Sequence, residues 1–327
     1  MKKLYIIGNG FDLHHDIKCS YSAFSKWLKL NHNDVYNEII DLYGEEIVNQ
    51  EWWNDFEINL GYFDIRGRIE HISWLNQPDA DDKEKARYID PREGAKDVQD
   101  DIGKTINDIK DCFHEWIDSL SPANKDLMIH IDAQDAYFIN FNYSLTLENT
   151  YKIDTDNICH IHGSLNDDEY IIGHGRSKQE IQEETAPYLA PYDNHQDPSE
   201  YGIDARDDEI TEETKQEMIK QIISIKKPVD KIISNLAVLN KLNSVQDVYI
   251  YGLSFSSVDE PYLKAIFSRL PQNAKLTISY YTEADKEKIK KFMDRHTHSL
   301  KIVRLQDIQV YPIVKCYSLF DDSQTAN

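Results

Sequence analysis

The sequence predicts an α/β fold: a parallel β-sheet with helices on both faces, plus a helical insertion between the first and second core strands. Two observations predict it. Strand-like apolar runs alternate with helical segments of ten or more residues, the pattern that parallel sheets impose through their crossovers. Six of the 12 glycines in 327 residues also fall in four short blocks, each directly after an apolar run. The blocks are Gly8-Asn9-Gly10-Phe11-Asp12, His160-Ile161-His162-Gly163, Gly173-His174-Gly175 and Tyr251-Gly252-Leu253-Ser254. Ligands of open α/β sheets bind beyond the carboxyl ends of the strands, so the blocks are expected to converge on one pocket.

Lys3 to Ile7 reads as the first strand, with Leu4-Tyr5-Ile6-Ile7 buried. Tyr21 to Leu42 has helical spacing, with Phe24, Trp27, Leu28 and Leu30 on one side. From about 45 to 127 the chain is polar and aromatic. Ile102, Ile106, Ile109, Phe113, Trp116 and Ile117 recur there at three- and four-residue steps. The charged stretch 78–94 reads as a loop within this segment. The core returns at Asp135 to Asn142, and two further strands are expected over 157–162 and 169–173. An acidic stretch at 176–210, with Pro187, Pro191 and Pro198, reads as a solvent-exposed loop or as a lid over the pocket. Thr211 is the expected N-cap of the next helix, which breaks at Pro228. Asp247 to Tyr251, Lys275 to Tyr280 and Leu300 to Leu305 complete the strands. Capping boxes are expected at Ser257 to Glu260 and at Thr282 to Asp285. One domain follows, with a core of 1–44 and 128–327, the insertion 45–127 and the acidic segment 176–210.

The formal net charge of -22 argues against nucleic acid as the main partner, because phosphate backbones are repelled at long range. The lysines of the stretch 286–291 read as a solvated helix face. No run approaches the roughly 20 apolar residues of a membrane span. The apolar run after Met1-Lys2-Lys3 is cut by Gly8, too early for a signal peptide. The four cysteines, Cys19, Cys112, Cys159 and Cys316, are scattered, as expected for reduced thiols in a cytoplasmic protein.

Each block admits a structural and a chemical role. Gly8 and Gly10 serve either a tight turn or a phosphate-holding helix start; the full dinucleotide fingerprint fails at Leu13. Asp12 caps the first helix, or faces a ribose hydroxyl or a developing positive charge; His14 and His15 read as surface residues. Asn142 is a turn former, or points its carboxamide into the crevice to bind an amide or position water. His160 and His162, on one face of a strand, are hydrogen-bonded core histidines or proton acceptors. Their spacing also permits a metal site with His174, without a supporting carboxylate or cysteine. Gly252 and Ser254 cap a helix or hold ribose and phosphate oxygens.

Taken in order, these blocks resemble the bacterial AbiH family of phage abortive-infection proteins, most closely over Gly8 to Leu13 and Asn140 to Gly175. They also resemble the wider sirtuin-like superfamily, with its Rossmann-like, NAD-binding sheet. That resemblance implies Gly8 and Gly10 as the phosphate loop, Asn142 as its asparagine, His162 as its catalytic histidine, and Gly252 with Ser254 as the late loop on the adenosine side. It extends the expected nucleotide contacts to Asn9, Phe11, Tyr143, Gly163 and His174. Asn142, His162 and Asp12 are the expected catalytic residues. The four-cysteine zinc ribbon of deacetylases is absent from the sequence, and no metal is expected.

The resemblance implies an anti-phage effector hydrolysing NAD at the nicotinamide–ribose bond, gated by an unknown phage-derived trigger. The acidic stretch or the helical insertion is the candidate gate, and a homo-oligomer is compatible with the sequence. Two alternatives stand beside it: a non-catalytic sensor of NAD or ADP-ribose, and a metal-dependent nucleotide hydrolase in which Asp12, His160 and His162 gather the metal.

Overall fold

A computed structural model describes residues 1–63, 92–167, 170–185, 205–296 and 298–308. Six strands form one parallel sheet: β1 (Lys3–Ile7), β2 (Ala136–Asn140), β3 (Ile158–His160), β4 (Asp247–Tyr251), β5 (Lys275–Tyr280) and β6 (Ser299–Arg304). Their order is β3-β2-β1-β4-β5-β6. This is the doubly wound, Rossmann-like order, which reverses between β1 and β4 and leaves a crevice at that point.

The central strands are apolar on both faces because both are covered. Leu4 and Ile6 of β1 pack with Val248, Ile250, Leu276 and Ile278 on one side. On the other, Tyr5 stacks between Phe138 and Tyr249, with ring centroids 4.8 and 4.7 Å apart. A chain buried on both faces reads as a continuous apolar run, as these strands do.

Between β1 and β2 the described chain is helical: α1 (Asn9–His14), α2 (Tyr21–Asn31), α3 (Asn33–Tyr43), α4 (Gln50–Asn54), α5 (Phe56–Asn59) and α6 (Arg92–Asp118). α7 (Thr146–Asn149) joins β2 to β3, and α8 (Lys178–Thr185), α9 (Ala205–Ser224) and α10 (Val229–Asn235) lie between β3 and β4. α11 (Glu260–Phe267) and α12 (Glu283–Met293) complete the crossovers. The long α6 packs against α9. Their apolar faces share one cluster with α2, α3, α4 and α5, so this helical core takes in Phe24, Ile39, Trp53, Ile106, Phe113 and Met218.

Several expectations are corrected. No strand runs over 170–173. Gly173, at φ +155°, instead packs on the end of α9, where His174 N–H donates to Ile225 O and Lys227 N–H to His174 O at 3.2 and 2.9 Å. His174 thereby forms only an isolated parallel bridge with Lys226, and Ile171 N–H donates to His162 O at 2.8 Å, so the run joins no strand of the sheet. Thr211 is not an N-cap, because α9 already begins at Ala205. The expected box at Ser257 and Glu260 does not form: the N-cap of α11 is Asp259, without a side-chain cap bond, and just before it Ser256 Oγ accepts from Asp259 N–H at 3.3 Å and donates to its carboxylate at 3.0 Å. The Thr282–Asp285 box forms as expected. Of the acidic stretch, 178–185 and 205–210 are helical. Its middle, with Pro187, Pro191 and Pro198, lies outside the described residues, as do 78–91 of the expected charged loop and Cys316. No described helix is long and apolar enough to cross a membrane.

The glycines differ sharply in what they tolerate. At Gly252, φ +69°, an added Cβ would lie 2.0 Å from Phe11 N; at Gly103, inside α6, the nearest contact is 3.6 Å. Gly252→Ala is therefore expected to cost at least about 3 kcal/mol in urea unfolding. Gly103→Ala is expected to stabilise by about 0.5–1 kcal/mol, as Ala does over Gly in a helix interior.

Candidate functional site

A cleft of about 960 Å³ opens beyond the carboxyl ends of the strands. Gly8, Asn9, Gly10, Asp12, Asn142, Tyr143, His162, Gly252 and Ser254 all line it. Phe11, Gly163 and His174 do not. Phe11 is buried below the sheet end against His15, their ring centroids 4.5 Å apart. His174 is held by Ile222 O at 2.8 Å and by Arg176 N–H at 3.0 Å. Three of the four glycine blocks thus converge, and Gly173-His174-Gly175 does not.

The Gly8–Gly10 turn touches the Gly252 turn directly. Gly8 N–H donates to Tyr251 O at 2.9 Å and Gly10 N–H to Gly252 O at 2.7 Å. A Cβ on Gly8 or Gly10 would stand 2.7 or 2.8 Å from that neighbouring backbone. These glycines allow two loops to meet, and both amides are already used there. The cradle expected to offer them to a phosphate spends them on the fold.

Asp12 and Asn142 sit side by side at the ends of α1 and β2. Asn142 Nδ2 donates to Gly8 O at 3.1 Å, and its backbone N–H to Asn140 Oδ1 at 3.1 Å. Ser144 Oγ donates to Asp12 Oδ2 and lies 3.0 Å from Thr146 Oγ1. The second oxygens, Asp12 Oδ1 and Asn142 Oδ1, are buried without a partner. Burial pushes the Asp12 carboxyl up from 3.8 to about 6, against the lowering pull of Ser144, Thr146 and Asn142.

The two histidines part company. β3 ends at His160 and the chain turns, which breaks the strand alternation that would have put both on one face. His160 is fixed by Asn142 O at 2.9 Å and Glu148 Oε1 at 2.7 Å. His162 lines the cleft with its Nε2 3.4 Å from Lys227 Nζ, and its ring also bonds the Phe141 backbone. Burial, reinforced by Lys227, holds His162 well below the usual imidazole value. Asp12, His160 and His162 thus do not gather as a ligand set, and no group of three or more His, Cys, Asp or Glu among the described residues is placed to hold a metal. His15, expected at the surface, is fully buried between Phe11 O and Tyr151 Oη, each 2.7 Å away, and burial lowers it to about 4.

Sequence reading missed the groups around His162. Lys227, fully buried, pairs with Glu57 Oε1 at 2.7 Å. Glu57 and Asp259 both line the cleft. Burial pushes Asp259 up to about 6, opposed by Lys227 and reinforced by Glu57. The one hint was a carboxylate inside the aromatic run Trp52-Trp53-Asn54-Asp55-Phe56-Glu57.

The family model described as bacteriophage abortive infection AbiH matches residues 4–280. The chain belongs to the AbiH family, and membership supports a role in phage abortive infection. Among curated proteins and solved structures none matches the chain.

The raised Asp12 carboxyl makes a testable demand on stability. The fold favours the protonated form, so this contribution is complete below about pH 4 and is lost as pH rises through about 6. At about 1.4 kcal/mol per pH unit, ionised Asp12 costs on the order of 3 kcal/mol. Asp12→Asn is therefore expected to gain stability over the parent by up to that amount at pH 7.5 and by little at pH 4. Urea unfolding at both pH values measures it, and a gain independent of pH would remove the ionisation argument.

Proposed function

We propose that this protein is an anti-phage effector that hydrolyses NAD at the nicotinamide–ribose bond in a sirtuin-like pocket. The observation that carries the reading is a pair of buried acceptor atoms without partners, Asp12 Oδ1 and Asn142 Oδ1, in a cleft at the reversal of strand order. Cleavage of this bond builds positive charge on the ribose, and fixed acceptors in a dry site stabilise that charge. The C1′–N bond breaks with its electron pair going to the ring nitrogen, so nicotinamide leaves neutral without needing a proton. A water oxygen then bonds C1′, and its proton passes to the Asp12 carboxylate and on to solvent. Asn142, anchored through Nδ2 to Gly8 O, orients the nicotinamide amide or the attacking water. His162, with Lys227 at Nε2 and the Phe141 backbone as its other partner, shapes the ribose side and is no free base.

The contact of His162 Nε2 with the buried Lys227 ammonium favours a second reading, a non-catalytic sensor of NAD or ADP-ribose. Purified protein incubated with NAD separates the two when nicotinamide and ADP-ribose are quantified. Hydrolysis predicts release, at least about 100-fold slower in Asn142→Ala and in Asp12→Asn, and falling in the parent as pH drops below about 6. Stoichiometric binding without release selects the sensor. Release at the parent rate by Asn142→Ala would move the chemistry elsewhere.

A further inference from the structure

We infer that His160 is a positioning residue for the Asp12–Asn142 pair: as an imidazolium clipped between Glu148 and the Asn142 carbonyl, it closes the segment 142–148 around the Asp12 carboxyl. The clip rests on geometry; its consequence for catalysis rests on the hydrolysis reading above.

The segment joins the end of β2 to α7, and every second residue in it is polar and engaged. Asn142 stands beside Asp12, Ser144 Oγ donates to Asp12 Oδ2, Thr146 Oγ1 lies 3.0 Å from Ser144 Oγ, and Glu148 bonds His160. His160 reaches back from β3, where it pairs in register with Asn140 of β2. Its Nδ1 lies 2.9 Å from Asn142 O and its Nε2 2.7 Å from Glu148 Oε1. One ring therefore spans both ends of the segment that holds Asp12. The clip completes the bonding of Asn142, whose N–H donates to Asn140 Oδ1 and whose Nδ2 donates to Gly8 O, both at 3.1 Å. Its Oδ1 alone is left without a partner.

The partners fix the charge. A carbonyl oxygen and a carboxylate oxygen both accept, so both ring nitrogens donate and the ring is a cation. Burial lowers His160, but the bonds to Glu148 and Asn142 and the charges of Glu148 and Asp167 outweigh it and raise the ring above the usual imidazole value. Glu148 on α7, Asp167 in the turn beyond His162 and Asp12 on α1 are the charged groups that act on it. In return, His160 helps to pull the Asp12 carboxyl down against burial, toward the ionised form that takes up a proton from water.

As mere support between β3 and α7 the pair would be a poor choice. Its side chains are 11% and 12% exposed, and an ion pair so far out of water stabilises no better than apolar side chains of similar size. An apolar pair could neither hold the Asn142 carbonyl nor turn positive charge toward Asp12.

Two variants separate holding from charge. His160→Asn keeps a donor at the Nδ1 position without the charge, and His160→Ala loses both. Nitrogen-15 NMR of the parent is expected to show His160 titrating above the usual imidazole value, with both ring nitrogens protonated below its midpoint. In nicotinamide release, His160→Ala is expected to lower kcat at least about tenfold and to change KM less than about twofold, as loss of an interaction made only in the transition state does. His160→Asn is expected to recover most of kcat at pH 8, where Asp12 is ionised, while the acid limb of its pH profile moves to higher pH. Circular dichroism checks the folds, and His160→Asn carries the test alone if His160→Ala unfolds. Parental kcat in His160→Ala, a parent ring titrating below the usual value, or an unmoved acid limb in His160→Asn would overturn the proposal. If the parent releases no nicotinamide, the hydrolysis reading falls and carbon-13 NMR of the Asp12 carboxyl decides the clip. A titration moved up in His160→Asn upholds it, and an unmoved one removes it.

Discussion

The backbone of Gly10 meets the backbone of Gly252 with no side chain between them, and the cleft depends on that contact. Gly10 N–H donates to Gly252 O at 2.7 Å, tying the turn after β1 to the turn after β4. These are the two strands between which the order reverses, where the crossovers diverge to opposite faces and leave a gap. The contact fixes the floor of that gap. It also sets the start of α1, which delivers Asp12, and it leaves Gly8 O as the acceptor that anchors Asn142. Three strands thereby contribute to one wall through backbone bonds, and the side chains above it stay available.

What stands on that floor is costly. Asp12, Asn142, His162 and Lys227 are polar groups removed from water, half-buried Asp259 stands beside them, and taking such groups out of water is costly. Part of the penalty is met inside the protein: Ser144 for Asp12, Glu57 for Lys227, Ser256 for Asp259. Part is not, because two acceptor atoms have no partner. A fold selected for stability alone would have closed the site with apolar side chains. The unmet acceptors instead match a ligand that carries positive charge or develops it. The helical segments add to this economy, since α5 supplies Glu57 and the turn after α9 supplies Lys227, while the sheet supplies neither.

Five of the six strands could be read from the chain because each carries closely spaced apolar or β-branched residues, continuous in β1, β2 and β4 and interrupted by polar ones in β5 and β6, a local property. β3 was recognisable but shorter than its apolar span, and the run at Tyr170 to Ile172 had the same local character without becoming a strand. Its Ile171 N–H bonds His162 O, while His174 just beyond it bonds the end of α9 some 50 residues away, and nothing in the run itself distinguishes the two outcomes. His160 and His162 failed in a related way: their spacing implied a common face, but a turn after His160 sent them apart.

The sequence by itself determined the fold class, the glycine turns at β1 and β4, the helical character between β1 and β2, and the positions of Asp12 in the helix after β1 and of Asn142 and His162 just past β2 and β3. Each follows from periodicity or from a turn that only certain residues allow, and such signals act over a few neighbours. Tertiary structure alone decided which groups face one another. Glu57, Lys227 and Asp259 are separated by 170 and 32 positions, and their pairing depends on how α5 and α9 pack beside the sheet. It also decided the use of the glycine amides and the burial that raises Asp12 and Asp259. Burial is a property of the finished packing, so no short stretch of chain could announce it.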